Sequence, residues 1–223
     1  MTPPARQPAT SLPLLREVRR CRVCVAHLPN EPRPLVVASA SSRVVIIGQA
    51  PGRIAHETGV PWNDKSGERL REWLGVTDAQ FYDESLFAIV PMGLCYPGRA
   101  KGGDKPPRPE CAPLWHPRIL PRLERVELTI YIGRYAFEQS PPRLAGQVGN
   151  LTEGVRAARG LLPGRIVLPH PSPRNQMWIR RNPWFERDVL PALRARVLEV
   201  LGSMGGARGH RAARRAPPPS PLS

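Results

Sequence analysis

Four cysteines are the residues of this sequence whose type and spacing point most directly to chemistry. Cys21 and Cys24 form a C-x2-C pair, and Cys95 and Cys111 follow after a long interval. In a cytoplasmic chain, four thiolates that include one close pair indicate a metal centre more than disulfides. The spacing alone fits a structural zinc ion and a [4Fe–4S] cluster equally well, and the simpler alternative is four unrelated buried cysteines.

A second candidate site follows four consecutive β-branched residues at positions 44–47. The turn at 48–52, Gly-Gln-Ala-Pro-Gly, lets the backbone approach a ligand closely and leaves N–H groups free to face it. The loop beyond it carries an aromatic ring, an amide and a carboxylate, which are Trp62, Asn63 and Asp64. Because ligands of parallel sheets bind beyond the carboxyl ends of strands, we predict a binding site here.

The elements that would hold these residues follow from hydrophobic patterns. Further strands are predicted at 86–90, 128–133 and 165–168, and helices at 12–20, 67–74, 113–122 and, with a weaker pattern, 144–159. The last helix is expected to begin with Asn182 as N-cap and Pro183 at its first position. Strands that alternate with helices predict a parallel sheet covered on both faces.

Composition narrows the class of protein and its partners. The chain of 223 residues is long enough for one α/β domain, and its 33 Lys and Arg against 18 Asp and Glu give a net charge of +15. Such a charge attracts polyanions, of which nucleic acid is the obvious one. Since no apolar run matches a membrane span or a signal peptide, we expect a cytoplasmic protein with no membrane partner. We also expect a monomer.

Domain boundaries follow from local composition. We predict an unstructured N-terminus at residues 1–10, one domain at 11–202, and an unstructured tail at 203–223. The tail is rich in arginine and proline and contains no acidic residue.

Three motifs in order, together with the cysteine spacing, resemble the uracil-DNA glycosylase superfamily, specifically its iron–sulfur branches. They are the turn at 48–52, the Thr-Gly-Val-Pro-Trp run at 58–62, and His170-Pro171-Ser172. The resemblance implies a three-layer α/β/α sandwich with a central four-stranded parallel sheet. It also implies a [4Fe–4S] cluster on the four cysteines, with zinc as the alternative, and hydrolysis of the N-glycosidic bond of a damaged base in base excision repair.

The sequence departs from several branches of that superfamily. Gln49 and Ala50 stand where other branches carry an acid or amide that handles water, and neither can act as a base. Asp64, in Asp-Lys-Ser-Gly, resembles the catalytic aspartate of the broad-specificity branch. The asparagine that reads uracil in several branches is replaced by Pro91-Met92-Gly93. We therefore expect a range of lesions wider than uracil alone.

The resemblance also suggests a role for each candidate residue. Trp62 would stack on the extruded base beside Asn63, and the N–H groups of Gln49 and Ala50 would hold its carbonyl oxygen. Asp64 would orient water and counter the cationic sugar, and His170 would donate to a base oxygen. DNA contacts are expected from Ser172, Arg174, Asn175, Arg180 and Arg181. Each role has a simpler alternative. Trp62 would be a core residue, Asp64 a helix N-cap, His170 a hydrogen-bonded polar residue without a catalytic role, and the arginines solvated surface charges.

Two functions of different classes remain open at this point. One is a DNA glycosylase that excises uracil or other deaminated bases from single- or double-stranded DNA. The other is a non-catalytic binder of damaged or single-stranded DNA on the same fold. A zinc-containing domain that binds a nucleotide lacks support, because the chain contains neither a G-x-G-x-x-G nor a Walker motif.

Overall fold

The computed structural model describes residues 12–139 and 149–202. The N-terminus predicted at 1–10, the tail predicted at 203–223 and the first part of the helix predicted at 144–159 lie outside the described residues. No helix in the described ranges is long and apolar enough to cross a membrane.

A four-stranded, all-parallel sheet forms the centre of the fold. Its strands are β1 (Val44–Ile47), β2 (Phe87–Ile89), β5 (Leu128–Ile132) and β6 (Arg165–Leu168), and a separate short antiparallel hairpin consists of β3 (Arg99–Ala100) and β4 (Gly103–Asp104). The strand order of the sheet is β2-β1-β5-β6, so β2 and β5 lie on opposite sides of β1 and the order reverses between β1 and β5. In such sheets, ligands bind beyond the carboxyl ends of the strands at the point of reversal.

Helices pack around this sheet in the predicted three-layer arrangement. The helices are α1 (Leu14–Arg19), α2 (Arg53–Thr58), α3 (Lys65–Leu74), α4 (Asp78–Phe81), α5 (Cys111–Ile119), α6 (Gly133–Glu138), α7 (Leu151–Ala157), α8 (Gln176–Arg181) and α9 (Leu190–Gly202). Helix α3 packs against α9, whereas α6 and α7 pack against each other and against β6.

The central strands are fully enclosed. All four residues of β1 are buried, as the consecutive β-branched residues predict for a strand covered on both faces. Four residues of the last helical segment also lie in the core as predicted: Phe185, Val189, Leu193 and Val197. Fold class and strand positions are therefore confirmed.

The predicted start of the last helix is wrong. Asn182 ends α8 instead, where its Nδ2 donates to the Trp178 carbonyl at 2.8 Å and its Oδ1 accepts from Trp184 Nε1 at 3.1 Å. Both functional groups of the amide are thus used by tryptophans. The chain then enters a π-helical turn at Phe185–Val189 before α9 begins.

Candidate active site

A cavity of about 410 Å³ opens at the carboxyl ends of the central strands. Its walls come from the turn after β1, the segment after β2, the β3–β4 hairpin and the segment after β6, which are separate parts of the sequence. The polar or aromatic side chains among its lining residues are Gln49, Trp62, Asp64, Ser66, Asp104, His170, Ser172, Arg174 and Asn175.

The turn after β1 forms one wall of the cavity, and two of its backbone N–H groups lack a hydrogen-bond acceptor in the described residues. The carbonyls of Gly48 and Gln49 accept hydrogen bonds from Met92 and Gly93, both at 2.9 Å, which fixes the turn against the segment after β2. The N–H groups of Gln49 and Ala50 have no acceptor within the described residues. Two donors beside the cavity are therefore available to a ligand oxygen.

Trp62 has a backbone conformation that bulky residues seldom adopt, with a φ of 57°. Its carbonyl oxygen accepts hydrogen bonds from Arg71 Nη1 at 3.2 Å and from the Tyr82 hydroxyl at 3.4 Å. Gly67 packs so closely on this carbonyl that a Cβ there would overlap it, and a Cβ on Gly48 would lie 3.0 Å from the indole ring. The first three contacts fix the backbone of Trp62, and the last places its ring against Gly48, directly after β1.

Asp64 lines the cavity and also caps a helix. Its Oδ1 accepts from the Gly67 N–H at 2.9 Å at the start of α3. Its Oδ2 has no hydrogen bond to the described part of the chain. The helix-cap interpretation of Asp64 is therefore confirmed, and the catalytic one stays a prediction, for which the second carboxylate oxygen is left free of protein hydrogen bonds.

The hydrogen bonding of His170 defines which ring nitrogen carries a proton. Nδ1 accepts from the Ser172 N–H at 3.2 Å, so the neutral ring carries its proton on Nε2. Burial lowers the pKa of His170, Asp64 opposes this by raising it, and Arg174 lowers it further. The ring lies 5.6 Å from the Trp62 ring between centroids. The site thus contains a neutral N–H donor beside an aromatic face.

The other predicted contact residues differ in their surroundings. Asn175 lines the cavity and donates from Nδ2 to the His170 carbonyl at 2.7 Å, so it positions the histidine. Ser172 accepts from the Arg174 N–H at 3.3 Å. Exposed side chains that do not line the cavity are Asn63, Arg180 and Arg181.

Two residues of the site were missed from the sequence. Arg71 is only 8% exposed, pairs with Asp78 at 2.7 Å, and holds the Trp62 carbonyl. It was missed because an arginine in an amphipathic helix is typical of its solvated face. Asp104 belongs to a hairpin in a Gly- and Pro-rich segment that contains no strand pattern.

The four cysteines line a second, small cavity of about 20 Å³. Cys111 Sγ accepts from the Leu94 N–H at 3.3 Å, and the side chains of Arg108 and Trp115 also line this cavity. Both Arg108 Nε and Trp115 Nε1 are buried without a hydrogen-bond partner in the described chain. Unpartnered N–H donors around four thiols fit a group held by four thiolates.

The thiols of Cys95 and Cys111 carry their protons when nothing is bound. Burial raises the pKa of Cys95 to about 12 and that of Cys111 to about 11. Binding to a metal would therefore release these protons. Within the described residues, no set of three or more His, Cys, Asp or Glu side chains is arranged to hold a single metal ion.

A protein-family model matches the part of the chain that forms the sheet and the large cavity. The model of the uracil DNA glycosylase superfamily matches residues 36–194, which is more than half of the chain and includes the whole parallel sheet and all residues of the large cavity except Leu35. Proteins of this class act on DNA, so the coarse function is that of a DNA glycosylase-like protein. On this evidence, the chain belongs to the uracil DNA glycosylase superfamily.

Proposed function

We propose that this protein is a hydrolytic DNA glycosylase that releases uracil or other deaminated bases. The observation that carries the proposal is that Trp62, Asp64 and His170, from separate segments, line the same cavity at the end of β1. A base in a duplex is out of reach, so a glycosylase must extrude it into such a pocket. An aromatic face, a carboxylate and a neutral donor are the groups that the chemistry requires.

The reaction breaks the bond between the base nitrogen and C1′ of the sugar, and its electron pair leaves with the base. His170 Nε2–H and the N–H groups of Gln49 and Ala50 would stabilise the negative charge that grows on the base oxygens. The Asp64 carboxylate, through Oδ2, would counter the positive charge on the sugar and orient water toward C1′. The oxygen of that water joins C1′, and its released proton balances the charge of the leaving base.

The role of Trp62 would be to bind the base by stacking. Its backbone is fixed by the contacts of its carbonyl oxygen with Arg71, Tyr82 and Gly67, and its ring lies against Gly48 and near the His170 ring. A ring that is already in place costs less conformational entropy on binding. We expect stacking to contribute about 1–3 kcal/mol to binding of the extruded base.

DNA binding would rest largely on phosphates. Arg180 and Arg181 are exposed at the end of α8, and neither makes an ion pair within the described residues. Their positive charge would attract the DNA backbone without reading sequence. This part of the proposal predicts binding that weakens steeply as salt is raised.

We further propose that the chain is of the iron–sulfur type and binds a [4Fe–4S] cluster through Cys21, Cys24, Cys95 and Cys111. The buried donors Arg108 Nε and Trp115 Nε1 support this, because N–H groups commonly bond the sulfurs of such clusters. When bound, the group would join three segments of the chain by covalent ligation. A zinc ion is the alternative, and a colourless protein with stoichiometric zinc would establish it.

A non-catalytic binder remains the second candidate. The bond from Gly67 to Asp64 Oδ1 favours it, because helix capping alone would explain an aspartate at this position. The turn after β1 also contains no acidic residue. Its one polar side chain, Gln49, is already used, because its Nε2 donates to the Lys105 carbonyl at 3.0 Å.

Base release from labelled oligonucleotides tests the proposal. The substrates carry uracil, hypoxanthine or xanthine in single and double strands, and the protein is purified without oxygen. Release of any of these bases, detected as alkali-labile strand cleavage, supports the glycosylase. Salt-sensitive binding to the same oligonucleotides without release supports the binder.

A further inference from the structure

The β3–β4 hairpin forms part of the rim of the large cavity, and two residues of the site hold it there. Gln49 Nε2 donates to the Lys105 carbonyl at 3.0 Å, directly after the hairpin. Arg174 Nη1 donates to the Gly102 carbonyl at 2.8 Å, and a Cβ on Gly103 would lie 2.6 Å from this nitrogen. The hairpin is therefore fixed to both the turn after β1 and the segment that carries His170.

This hairpin brings a second carboxylate to the cavity. Asp104 lines it, and its Oδ2 would lie 3.6 Å from a Cβ on Gly52, so the carboxylate faces the turn after β1. Asp104 makes no hydrogen bond or ion pair within the described part of the chain. Burial raises its pKa and so does Asp64, whereas Arg174 and Arg99 lower it. The structure thus leaves an acceptor at the rim without a protein donor.

Deamination changes the edge of a base in a way that such a pair of groups can read. An undamaged cytosine or adenine has an amino donor beside a ring nitrogen that only accepts hydrogen bonds. After deamination, the same edge has a carbonyl acceptor beside a ring N–H donor. The cavity contains a donor, His170 Nε2–H, and an acceptor, the Asp104 carboxylate, and Arg174 interacts electrostatically with both residues.

We propose that Asp104 is a specificity-determining residue, whose carboxylate accepts the ring N–H next to the carbonyl of a deaminated base. The inference rests on the proposed function and names the feature of the substrate that the site reads. A carboxylate only accepts, so it repels the lone pair on the ring nitrogen of an undamaged base.

The test compares uracil with 3-methyluracil, which lacks the ring N–H, in otherwise identical single-stranded oligonucleotides. We expect wild-type protein to bind and release uracil about 10²-fold better, since a site built for a hydrogen bond rejects an analogue that lacks it. In D104A the ratio should fall to below about 5-fold, mainly through loss of the uracil reaction. D104N should lie between the two, because its amide can present either an acceptor or a donor.

Lys101→Ala is the matched control, since Lys101 lies in the same hairpin, is exposed and does not line the cavity. It should keep the wild-type ratio. Binding is measured by fluorescence anisotropy as well as by base release, so the test does not depend on turnover. Equal uracil-to-3-methyluracil ratios in wild type and D104A would overturn the role of Asp104. Tighter binding of uracil than of 3-methyluracil without any base release would overturn the proposed glycosylase and leave Asp104 as a residue that recognises the base.

Discussion

Replacement of Asp64 by asparagine separates its helix capping from its proposed catalytic role. Asparagine caps a helix about as well as aspartate, so the bond from the Gly67 N–H to the side-chain oxygen should persist. Loss of the negative charge near the start of α3 should cost about 0.5 kcal/mol of folding free energy. For a chain of this size that corresponds to a drop of about 1–2 °C in Tm.

Turnover should respond far more strongly than stability. If Asp64 counters the charge on the sugar, Asp64→Asn should slow base release by about 10²–10³-fold, which is the usual range for loss of one charge-stabilising group. Single-turnover rates with saturating protein measure this step without contribution from DNA binding. The acidic limb of the pH profile should also move to lower pH, because Asp64 raises the pKa of His170 and that effect would be lost.

Asn150→Ala provides the matched control for capping. Asn150 Oδ1 accepts from the Glu153 N–H at 3.1 Å at the start of α7, and Asn150 does not line the cavity. This variant should lose about 1 kcal/mol of stability and keep wild-type turnover. Equal single-turnover rates for Asp64→Asn and wild type would refute the catalytic role and leave Asp64 as a helix cap.

Three further predictions follow from contacts described above. Gly67→Ala should lower stability by about 3 kcal/mol, seen in chemical denaturation, because its Cβ overlaps the Trp62 carbonyl; a loss below about 1 kcal/mol would contradict this geometry. The acidic limb of the profile of activity against pH should lie below pH 6.5, because burial lowers the pKa of His170 from that value. As the pH falls below 6.5, the unfolded chain binds this proton before the folded chain does, so folding stability should fall as well. Cys95→Ser should abolish any visible absorption of the anaerobically purified protein and its bound iron, whereas retention of both would remove Cys95 from the ligands.

Much of the fold could be predicted from local patterns. The four residues of β1 and those of β6 were located because buried parallel strands are continuous apolar runs, which few other elements share. The hairpin of β3 and β4 was not predicted, since its strands have two residues each and lie among glycines and prolines. Its position depends on Arg174 and Gln49, which are distant in sequence.

The candidate site was only partly accessible to the same reasoning. Trp62 and Asp64 follow a recognisable strand and turn, so their position beside one cavity could be predicted, whereas Asn63 from the same loop is exposed and does not line it. The backbone conformation of Trp62 was not predictable, because the hydrogen bonds to its carbonyl come from Arg71 and Tyr82, which lie later in the chain. Asn182 misled for a related reason: the preference of asparagine for N-caps was overridden by bonds to two tryptophans.

The left-handed backbone at Trp62 has a consequence for which amino acids this position can tolerate. Glycine and asparagine adopt that conformation with little cost, whereas a bulky residue pays about 1–2 kcal/mol for it. Selection for a well-folded chain would therefore favour a small residue here, and selection for base stacking would favour an aromatic one. If Trp62 stacks on a base as proposed, the requirements of folding and of ligand binding oppose each other at position 62, and the chain carries the residue that binding favours.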